Sequence, residues 1–243
     1  MNAPATGPQA LHDDSFVLVV CGLALEARIA GGPGVRSVAS GVDKQRLARE
    51  LERAVTAGAR AILSFGIAGG LAPGIAAGTW IVARGVHTAG GYRQCDAVWT
   101  EQLAGRLPGA LLGDLAGSDQ PVADAGAKHV LHAVTSALAV DTESHVAAEV
   151  AAAHSLPFTA FRVVADAAMH NLPEAALVGL DADGRVDIAA VLRSVVRTPS
   201  QLPLLMRTAI DARAAFAALR CGRRRLGVAF GCDVSRPAMP TPS

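Results

Sequence analysis

An uncharged stretch of 23 residues, at positions 61–83, restricts the fold more than any other feature of this sequence. It is long enough to cross a lipid bilayer as a helix. Five glycines and one proline interrupt it: Gly66, Gly69, Gly70, Pro73, Gly74 and Gly78. These residues disfavour a helix whose backbone groups would find no water in lipid. The stretch therefore predicts a buried strand at 61–65, a glycine-rich loop at 66–70 and a second strand at 79–83.

Short apolar runs alternate with amphipathic segments along the rest of the chain. Further strands are predicted at 16–20, 111–115, 138–140 and 158–165, and helices at 44–57 and 146–154. Strands that alternate with helices are typical of a mainly parallel sheet covered on both faces. We therefore predict an α/β fold with one three-layer α/β/α domain at 16–230 and a central mixed, mainly parallel sheet. Flexible tails are expected at 1–15 and 231–243.

Composition and charge exclude several classes of protein. Hydrophobic residues make up 51% of the chain and charged residues 18%, which favours a folded protein with a large core. The formal net charge of +1 lacks the broad basic field that non-specific nucleic-acid binding requires, so no nucleic-acid partner is expected. Because the first residues lack the pattern of a secretory signal, a cytoplasmic protein is expected.

The cysteines give no indication of a metal site. Cys21, Cys95, Cys221 and Cys232 are far apart and include no C-x-x-C pair. No histidine follows at the spacing of a zinc finger. We therefore predict buried thiols and no bound metal.

Four segments follow the predicted strands at their carboxyl ends, where ligands bind in sheets of this kind. They are residues 22–28, 66–70 and 141–143, together with Asp166. We expect all four to converge on one pocket.

The glycines at 66–70 do not match a known phosphate-binding loop. Their G-x-x-G-G spacing differs from the dinucleotide fingerprint, and no Gly-Lys-Ser/Thr follows for a Walker loop. A turn without any ligand explains them equally well.

Three carboxylates are candidates for chemistry. Asp141 and Glu143 lie at the start of a predicted helix, whose positive end favours their ionised forms, but simple helix capping explains them too. Asp166 emerges from the buried strand at 158–165, where desolvation would raise its pKa and suit it to act as an acid. A structural ion pair with Arg162 is the alternative.

Three segments occur in a distinctive order: VVCGLALEARIA at 19–30, SFGIAGGLAPGIAAGTWIVA at 64–83 and AVDTESHVAAEVAAAHSLPFTAFRVVADAA at 139–168. In them the chain resembles the family of nucleoside phosphorylases and nucleosidases, which includes purine nucleoside phosphorylase and methylthioadenosine/S-adenosylhomocysteine nucleosidase. Residues 172–192, LPEAALVGLDADGRVDIAAVL, resemble the hopanoid-associated phosphorylase branch. That branch implies removal of adenine from adenosylhopane.

The resemblance implies roles for individual residues. Asp166 would donate a hydrogen bond or proton to purine N7, and Glu143 would bind the ribose hydroxyls as the sugar gains oxocarbenium character. The glycines at 66–70 would let the backbone approach the ribose and the attacking nucleophile. Substrate binding is implied for Gly66, Ile67, Ala68, Gly69, Val122, Asp141 and Thr142, and binding of the nucleophile for Gly22, Glu26 and Arg28. No cofactor is implied, apart from inorganic phosphate as a co-substrate.

The chain departs from the family pattern at several positions. Ala27 aligns with the water-activating glutamate of the nucleosidases, and Glu26 lies one residue before it. Arg28 would hold a phosphate, so phosphate is the favoured nucleophile and water the alternative; an Arg28 that faces solvent is equally consistent. Ile67, Thr142 and Pro121 replace a hydroxyl residue, a methionine and an aromatic residue. These changes keep open a rival function, a catalytically silent nucleoside-binding protein.

The last third of the chain contains an amphipathic helix pattern. Its apolar positions are Leu202, Leu204, Leu205, Met206, Ile210, Phe216 and Leu219, and the basic run at 223–225 follows. We predict that this segment lines an apolar groove for a lipid-like 5′ substituent or contacts an anionic membrane at its inner face. Core packing is the alternative. A homo-oligomer is expected from the resemblance alone.

Overall fold

A computed structural model describes residues 15–39, 41, 43–177 and 187–232. The tails predicted at 1–15 and 231–243 therefore lie almost entirely outside the described residues. The strands of the described part are β1 (Phe16–Cys21), β2 (Val35–Ala39), β3 (Ala59–Gly70), β4 (Trp80–Thr88), β5 (Gly91–Gln94), β6 (Leu111–Gly117), β7 (Ala139–Asp141) and β8 (Phe158–Asp166). The helices are α1 (Ala24–Ala30), α2 (Lys44–Thr56), α3 (Ala97–Arg106), α4 (Ala125–Thr135), α5 (Ser144–Ala153), α6 (Glu174–Leu177), α7 (Ile188–Arg197) and α8 (Leu202–Leu226).

The eight strands form one mixed sheet that closes on itself in part. The order β2-β1-β3-β7-β6-β4-β5 runs across it, and β8 joins β3 to β4. Strands β3, β8, β4, β6 and β7 thus make a ring. Parallel pairs join β1 to β2 and β3, β3 to β8, and β6 to β4 and β7, whereas β3–β7, β4–β5 and β4–β8 are antiparallel. The predicted α/β fold with a mixed, mainly parallel sheet is confirmed.

Helices bury apolar side chains against both faces of the sheet. On one face, Leu47 and Leu51 of α2 join residues of α5 in a core cluster. On the other face, Trp99 and Leu103 of α3 and Leu219 of α8 join a second cluster. The core is therefore divided into two layers by the sheet, as the three-layer prediction required.

The prediction of a glycine-rich loop at 66–70 is wrong, because these residues form the carboxyl-terminal half of β3. Ile67 and Ala68 pair with Val163 and Val164 of β8, and Gly69 pairs with Val140 of β7. Strand partners on both sides supply the backbone hydrogen bonds that hold a glycine-rich segment extended. The predicted strands are all present, and β4 and β3 are longer than predicted.

Several elements were not predicted: β2, β5, α1, α3 and α4. Asp43, Asp96 and Asp124 cap α2, α3 and α4 by accepting hydrogen bonds from backbone N–H groups at their starts. No disulfide joins the four cysteines; Cys21 and Cys95 are buried as predicted, whereas Cys221 and Cys232 are only half-buried. Among the described helices, none is both long and apolar enough to cross a membrane.

Candidate active site

Two adjoining cavities open at the carboxyl ends of β1, β3, β7 and β8. One, of about 170 Å³, contains Glu26 and Glu143 and is called the carboxylate lobe. The other, of about 150 Å³, contains Asp166 and is called the Asp166 lobe. Both are lined by Ile67, Gln120, Pro121, Thr142 and Glu143. Because they share these walls, the two lobes form one cleft.

Glu26 is held in the carboxylate lobe by backbone N–H groups. The residue lies in the first turn of α1 and is only 1% exposed. Its Oε2 accepts hydrogen bonds from the N–H groups of Gly22 and Leu23, both at 2.9 Å. Oε1 accepts one from the N–H of Ile67 on β3, at 2.7 Å. The first two bonds are ordinary helix capping, but the third fixes the carboxylate between two separate elements.

Glu26 also has a perturbed pKa. Burial raises it from 4.5 to about 7, and the nearby charge of Glu143 raises it as well. Arg162 and the hydrogen bonds from Ile67 and Leu23 act in the opposite direction. A carboxyl group with a pKa near neutrality is suited to accept a proton as a general base.

Two glycines make room for these carboxylates. A Cβ atom at Gly66 would lie 2.5 Å from Oε1 of Glu26, and one at Gly22 would lie 3.0 Å from Oε1 of Glu143. The space beside Gly66, which we expected to admit ribose or a nucleophile, is thus taken by a side chain of the protein. Glu26 and Glu143 both contact Gly22 and lie on the same side of the cleft.

Glu143 is buried and held by two cations. Its Oε2 is 3.3 Å from an amino group of Arg162, and its Oε1 is 3.5 Å from Nζ of Lys44. The hydroxyl of Thr142 donates a short hydrogen bond to Oε1. Thr142, which replaces the family's methionine, thus orients the neighbouring carboxylate.

Asp141 supports Glu143 rather than facing open solvent. Its Oδ1 accepts hydrogen bonds from the N–H groups of Glu143 and Ser144, at 2.9 and 2.7 Å. Arg162, fully buried beneath them, reaches the same oxygen at 3.1 Å and the hydroxyl of Ser64 at 2.6 Å. The capping interpretation is therefore right for Asp141, whereas Glu143 makes no capping hydrogen bond to α5.

Asp166 lies at the end of β8, and its ion-pair partner is Lys128 of α4. The Lys128 ammonium donates a short hydrogen bond to Oδ2 of Asp166. The predicted alternative, a pair with Arg162, is wrong, because Arg162 is engaged with Asp141 and Glu143. Burial raises the pKa of Asp166, although Lys128 lowers it in part.

The cleft thus combines one carboxyl group suited to accept a proton with another suited to donate one. Glu143, ion-paired on both of its oxygens, is placed to receive hydrogen bonds or to stabilise a developing positive charge. The described residues include no group of three or more His, Cys, Asp or Glu side chains placed to hold a metal ion.

A family model described as Phosphorylase superfamily matches residues 19–197. The chain belongs to the phosphorylase superfamily. It is accordingly an enzyme of the nucleoside phosphorylase and nucleosidase type. A search of curated proteins found no match to it.

Solved structures share the fold of this superfamily member at low sequence identity. A nucleosidase from S. pneumoniae, which acts on 5′-methylthioadenosine and S-adenosylhomocysteine, has a TM-score of 0.59 and 18% identity, covering 87% of this chain and 99% of its own. The S-adenosylhomocysteine nucleosidase of Streptococcus pyogenes has a TM-score of 0.59 and 18% identity, covering 90% and 100%. Futalosine hydrolase of Helicobacter pylori has a TM-score of 0.59 and 17% identity, covering 77% and 99%.

In this phosphorylase-superfamily chain most of the predicted site residues line the cleft. Gly22, Glu26, Ile67, Thr142 and Glu143 line the carboxylate lobe. Ala68, Gly69, Val122, Asp141 and Asp166 line the Asp166 lobe, together with Ile67, Thr142 and Glu143. Gly66 lines neither lobe and packs against Glu26. Arg28 is exposed on α1 and lies outside the residues that line the cleft.

Two cations of the site were not predicted. Lys44 is the first residue of α2, which was predicted, but a lysine at a helix end is ordinarily a solvated one. Lys128 lies in α4, which was not predicted at all. The only sequence signal is its position as a single lysine among apolar residues after the capping residue Asp124, in AGAKHVLHAVT.

Proposed function

We propose that this protein hydrolyses the N-glycosidic bond of a 5′-substituted adenosine and releases adenine. The observation that carries the proposal is the arrangement of three carboxyl groups in one cleft. Glu26 and Glu143 meet at Gly22 in one lobe, and Asp166 lies in the adjoining lobe. A nucleoside bound across the shared walls would place its sugar in the first lobe and its base in the second.

Departure of the base is the role proposed for Asp166. When the bond between C1′ and N9 breaks, its electron pair stays on the purine, which is a poor leaving group while unprotonated. Asp166 gives its proton to N7, and the adenine leaves as a neutral molecule. Burial, which raises the pKa of Asp166, keeps a proton available for this step.

Stabilisation of the sugar is the role proposed for Glu143. As the bond to the base lengthens, the ribose ring gains positive charge and its hydroxyl groups become stronger hydrogen-bond donors. A buried carboxylate that accepts from them binds the transition state more tightly than the ground state. Arg162 and Lys44 hold Glu143 in its ionised form for this purpose.

Activation of water is the role proposed for Glu26. The water molecule loses a proton to the Glu26 carboxylate as its oxygen bonds to C1′, and the products are adenine and the free sugar. The raised pKa of about 7 makes Glu26 a stronger base than an ordinary carboxylate. The glutamate thus fills the role that the sequence comparison gave to the position of Ala27.

The charges of the carboxylate lobe support water rather than phosphate as the nucleophile. A phosphate would approach two carboxylates, Glu26 and Glu143, against one partly exposed cation, Lys44. Arg28, which was expected to clamp the phosphate, faces solvent. Lys44 is the observation in favour of phosphorolysis, which is retained as the second candidate function.

The test is a measurement of free adenine with adenosine, 5′-methylthioadenosine and adenosylhopane, each with and without phosphate. Hydrolysis predicts equal release without phosphate and a free sugar as the second product. Release that depends on phosphate would identify a phosphorylase. Tight binding of these nucleosides without any release would identify the rival, a silent binding protein.

Variants assign the roles within the cleft. We expect Asp166→Asn, Glu143→Gln and Glu26→Gln each to lower kcat by about 10²- to 10⁴-fold. Arg28→Ala, on the outer face of α1, is the control and should leave the rate unchanged. Full activity in any of the three cleft variants would contradict the role proposed for that residue.

For the 5′ substituent we propose the lipid chain of adenosylhopane, taken up at a membrane surface. The support lies on α8, where Leu202, Met206 and Ile210 are exposed and recur every four residues, Met206 at 61% and Ile210 at 67%. At 100° per residue, Arg213, Arg220 and Arg224 continue the same face. An exposed apolar stripe followed by arginines suits contact with anionic lipid.

The alternative predictions for this segment have different outcomes. No residue of α8 is among those that line the cleft, so an apolar groove in this helix has no support within the described residues. Core packing is right for Leu219, which is fully buried, and Leu204, Leu205 and Phe216 are half-buried.

Flotation with vesicles tests the membrane proposal. We expect the protein to float with phosphatidylglycerol vesicles and not with neutral ones. Met206→Glu together with Ile210→Glu should abolish flotation, whereas Val134→Glu on the exposed face of α4 should not. Absence of binding by the unaltered protein would remove this part of the proposal.

A homo-oligomer remains part of the proposal on the strength of the family resemblance. Light scattering during gel filtration measures the mass of the particle in solution. A mass of 24.7 kDa, that of one chain, would contradict it.

A further inference from the structure

Lys128 is a buried cation to which the mechanism above gives no role. Its side chain is 0% exposed, and its ammonium contacts three oxygens of one short segment. It donates hydrogen bonds to Oδ2 of Asp166, to the carbonyl of His170 at 2.8 Å and to the carbonyl of Ala167 at 3.4 Å. An ammonium has three N–H groups, so these contacts use its whole donor capacity.

Further contacts tie the same segment to the start of α4. The side chain of Asn171 accepts a hydrogen bond from the N–H of Ala125 at 2.7 Å. The N–H of Leu172 donates to the carbonyl of Ala123 at 2.9 Å. Lys128 therefore holds Asp166 as part of a rigid unit formed by α4 and the residues that follow β8.

The two oxygens of Asp166 differ in their surroundings. Oδ2 is bound by Lys128, whereas no described residue forms a hydrogen bond with Oδ1. Asp166 lines the cleft, with Leu172 nearby in the same lobe. Oδ1 is thus the oxygen left to carry a proton toward a base in that lobe.

We propose that Lys128 is the positioning residue of the catalytic acid: it directs Oδ1 of Asp166 toward the purine and stabilises the carboxylate that remains after proton transfer. The inference rests on the proposed function and deepens it. The proton moves from Oδ1 to N7 as the bond from C1′ to N9 breaks, and the Lys128 ammonium keeps its own protons throughout. It acts only through Asp166.

The other charged groups around Asp166 come from two elements. His170, in the segment held by Lys128, lowers the pKa of Asp166, and Asp211 of α8 raises it. Arg207 of α8 contacts the ring of His170. Lys128 is the only one of these groups that directly hydrogen-bonds the Asp166 carboxylate.

The experiment compares Lys128→Met, which removes the charge, with Lys128→Arg, which retains it. For Lys128→Met we expect kcat to fall by about 10- to 100-fold, because Asp166 becomes a weaker acid. The limb of the pH profile that is missing in Asp166→Asn should move to higher pH by about 1 to 3 units. Lys128→Arg should restore the position of that limb.

A merely structural lysine predicts another result. The rate of Lys128→Met would fall with no movement of that limb, and Lys128→Met would cost as much in an Asp166→Asn background as in the wild type. Either result would overturn the proposal. If Lys128 acts through Asp166, the double variant should be no slower than Asp166→Asn alone.

Folding and loss of the proposed function are controlled separately. Lys128→Met leaves Asp166 free to take up a proton and should fold, whereas Asp166→Asn leaves a buried ammonium without its partner. If the wild type released no adenine from any nucleoside, the proposed function would fail, but adenine binding still reports on the pair. The pH dependence of the adenine Kd should then move upward in Lys128→Met, and an unchanged dependence would overturn the inference.

Discussion

Glu26 illustrates how much depends on a single residue position at the start of a helix. Successive side chains on a helix are rotated by 100°, so a slip of one position changes which of Glu26, Ala27 and Arg28 faces the cleft. The structure begins α1 at Ala24, which turns Glu26 inward and leaves Arg28 exposed. The gap-free comparison with the family placed Ala27 there instead.

The raised pKa of Glu26 predicts a dependence of stability on pH. The folded protein holds this proton more tightly than the unfolded chain, so the contribution of Glu26 to stability is complete below about pH 4.5 and is lost as pH rises through about 7. The difference in free energy of unfolding between the wild type and Glu26→Gln should shrink over that range by up to about 3 kcal/mol. Urea unfolding at several pH values measures it.

The matched control is Glu101→Gln, on the exposed face of α3. Its unfolding free energy should differ from that of the wild type by the same amount at each pH. A constant difference for Glu26→Gln as well would show that the carboxyl group titrates normally.

Arg162 predicts a large loss of stability when its charge is removed. Arg162→Met would leave Asp141 and Glu143 buried without their shared partner, and we expect a loss of about 3 to 5 kcal/mol. Arg60→Met, on an exposed position of β3, should change stability by less than about 0.5 kcal/mol. Equal effects of the two variants in urea unfolding would contradict the buried ion pairs.

At the scale of the element, the sequence predicted strands far better than it predicted their neighbours. The runs at 16–20 and 158–165 are apolar on both faces, which marks a buried strand directly. The edge strand β5 and the short β7 give no such signal, and α1 has only seven residues. Pairing by strands distant in the chain holds residues 66–70 extended, which no local pattern reveals.

The packing of α8 on β8 makes a glycine necessary in the helix. A Cβ atom at Gly222 would lie 2.6 Å from Cζ of Phe161, so Gly222→Ala should destabilise the fold by about 1 to 3 kcal/mol. Gly105 in α3 has nothing within 4 Å of such an atom, and Gly105→Ala should stabilise by about 0.4 to 1 kcal/mol. Thermal unfolding of both variants measures the contrast, and shifts in the same direction would contradict this packing.

At the scale of the whole molecule, one sheet is shared by two apolar layers. Leu47 is fully buried in one layer, whereas Trp80 and Trp99 both lie in the other. Because the strand ring belongs to both, we expect the layers to unfold together.

Leu47→Ala tests this coupling. It should lower the free energy of unfolding by about 2 to 5 kcal/mol, and tryptophan fluorescence should report the same shift as far-UV circular dichroism. Val134→Ala, on the exposed face of α4, is the control and should have little effect. A shift seen by dichroism alone would mean that the layers unfold separately.

The candidate site was predictable from the sequence only in its carboxylates. Asp141, Glu143 and Asp166 follow buried strands at one edge of the sheet, and that edge is where parallel strands gather ligands. Their partners were not predictable in the same way, since a buried lysine such as Lys128 looks like a surface residue until its helix is placed. Arg162 was recognised as structural, but which acids it serves depends on how β7 and β8 are arranged about β3.

Three amides of the main chain, at Gly22, Leu23 and Ile67, fix the Glu26 carboxylate, yet the side chains of Leu23 and Ile67 line the wall of the cleft. Mutagenesis at positions 23 and 67 can therefore reshape the space offered to a ligand while the acid keeps its anchor. Libraries built on those two sites would alter selectivity and turnover independently of each other.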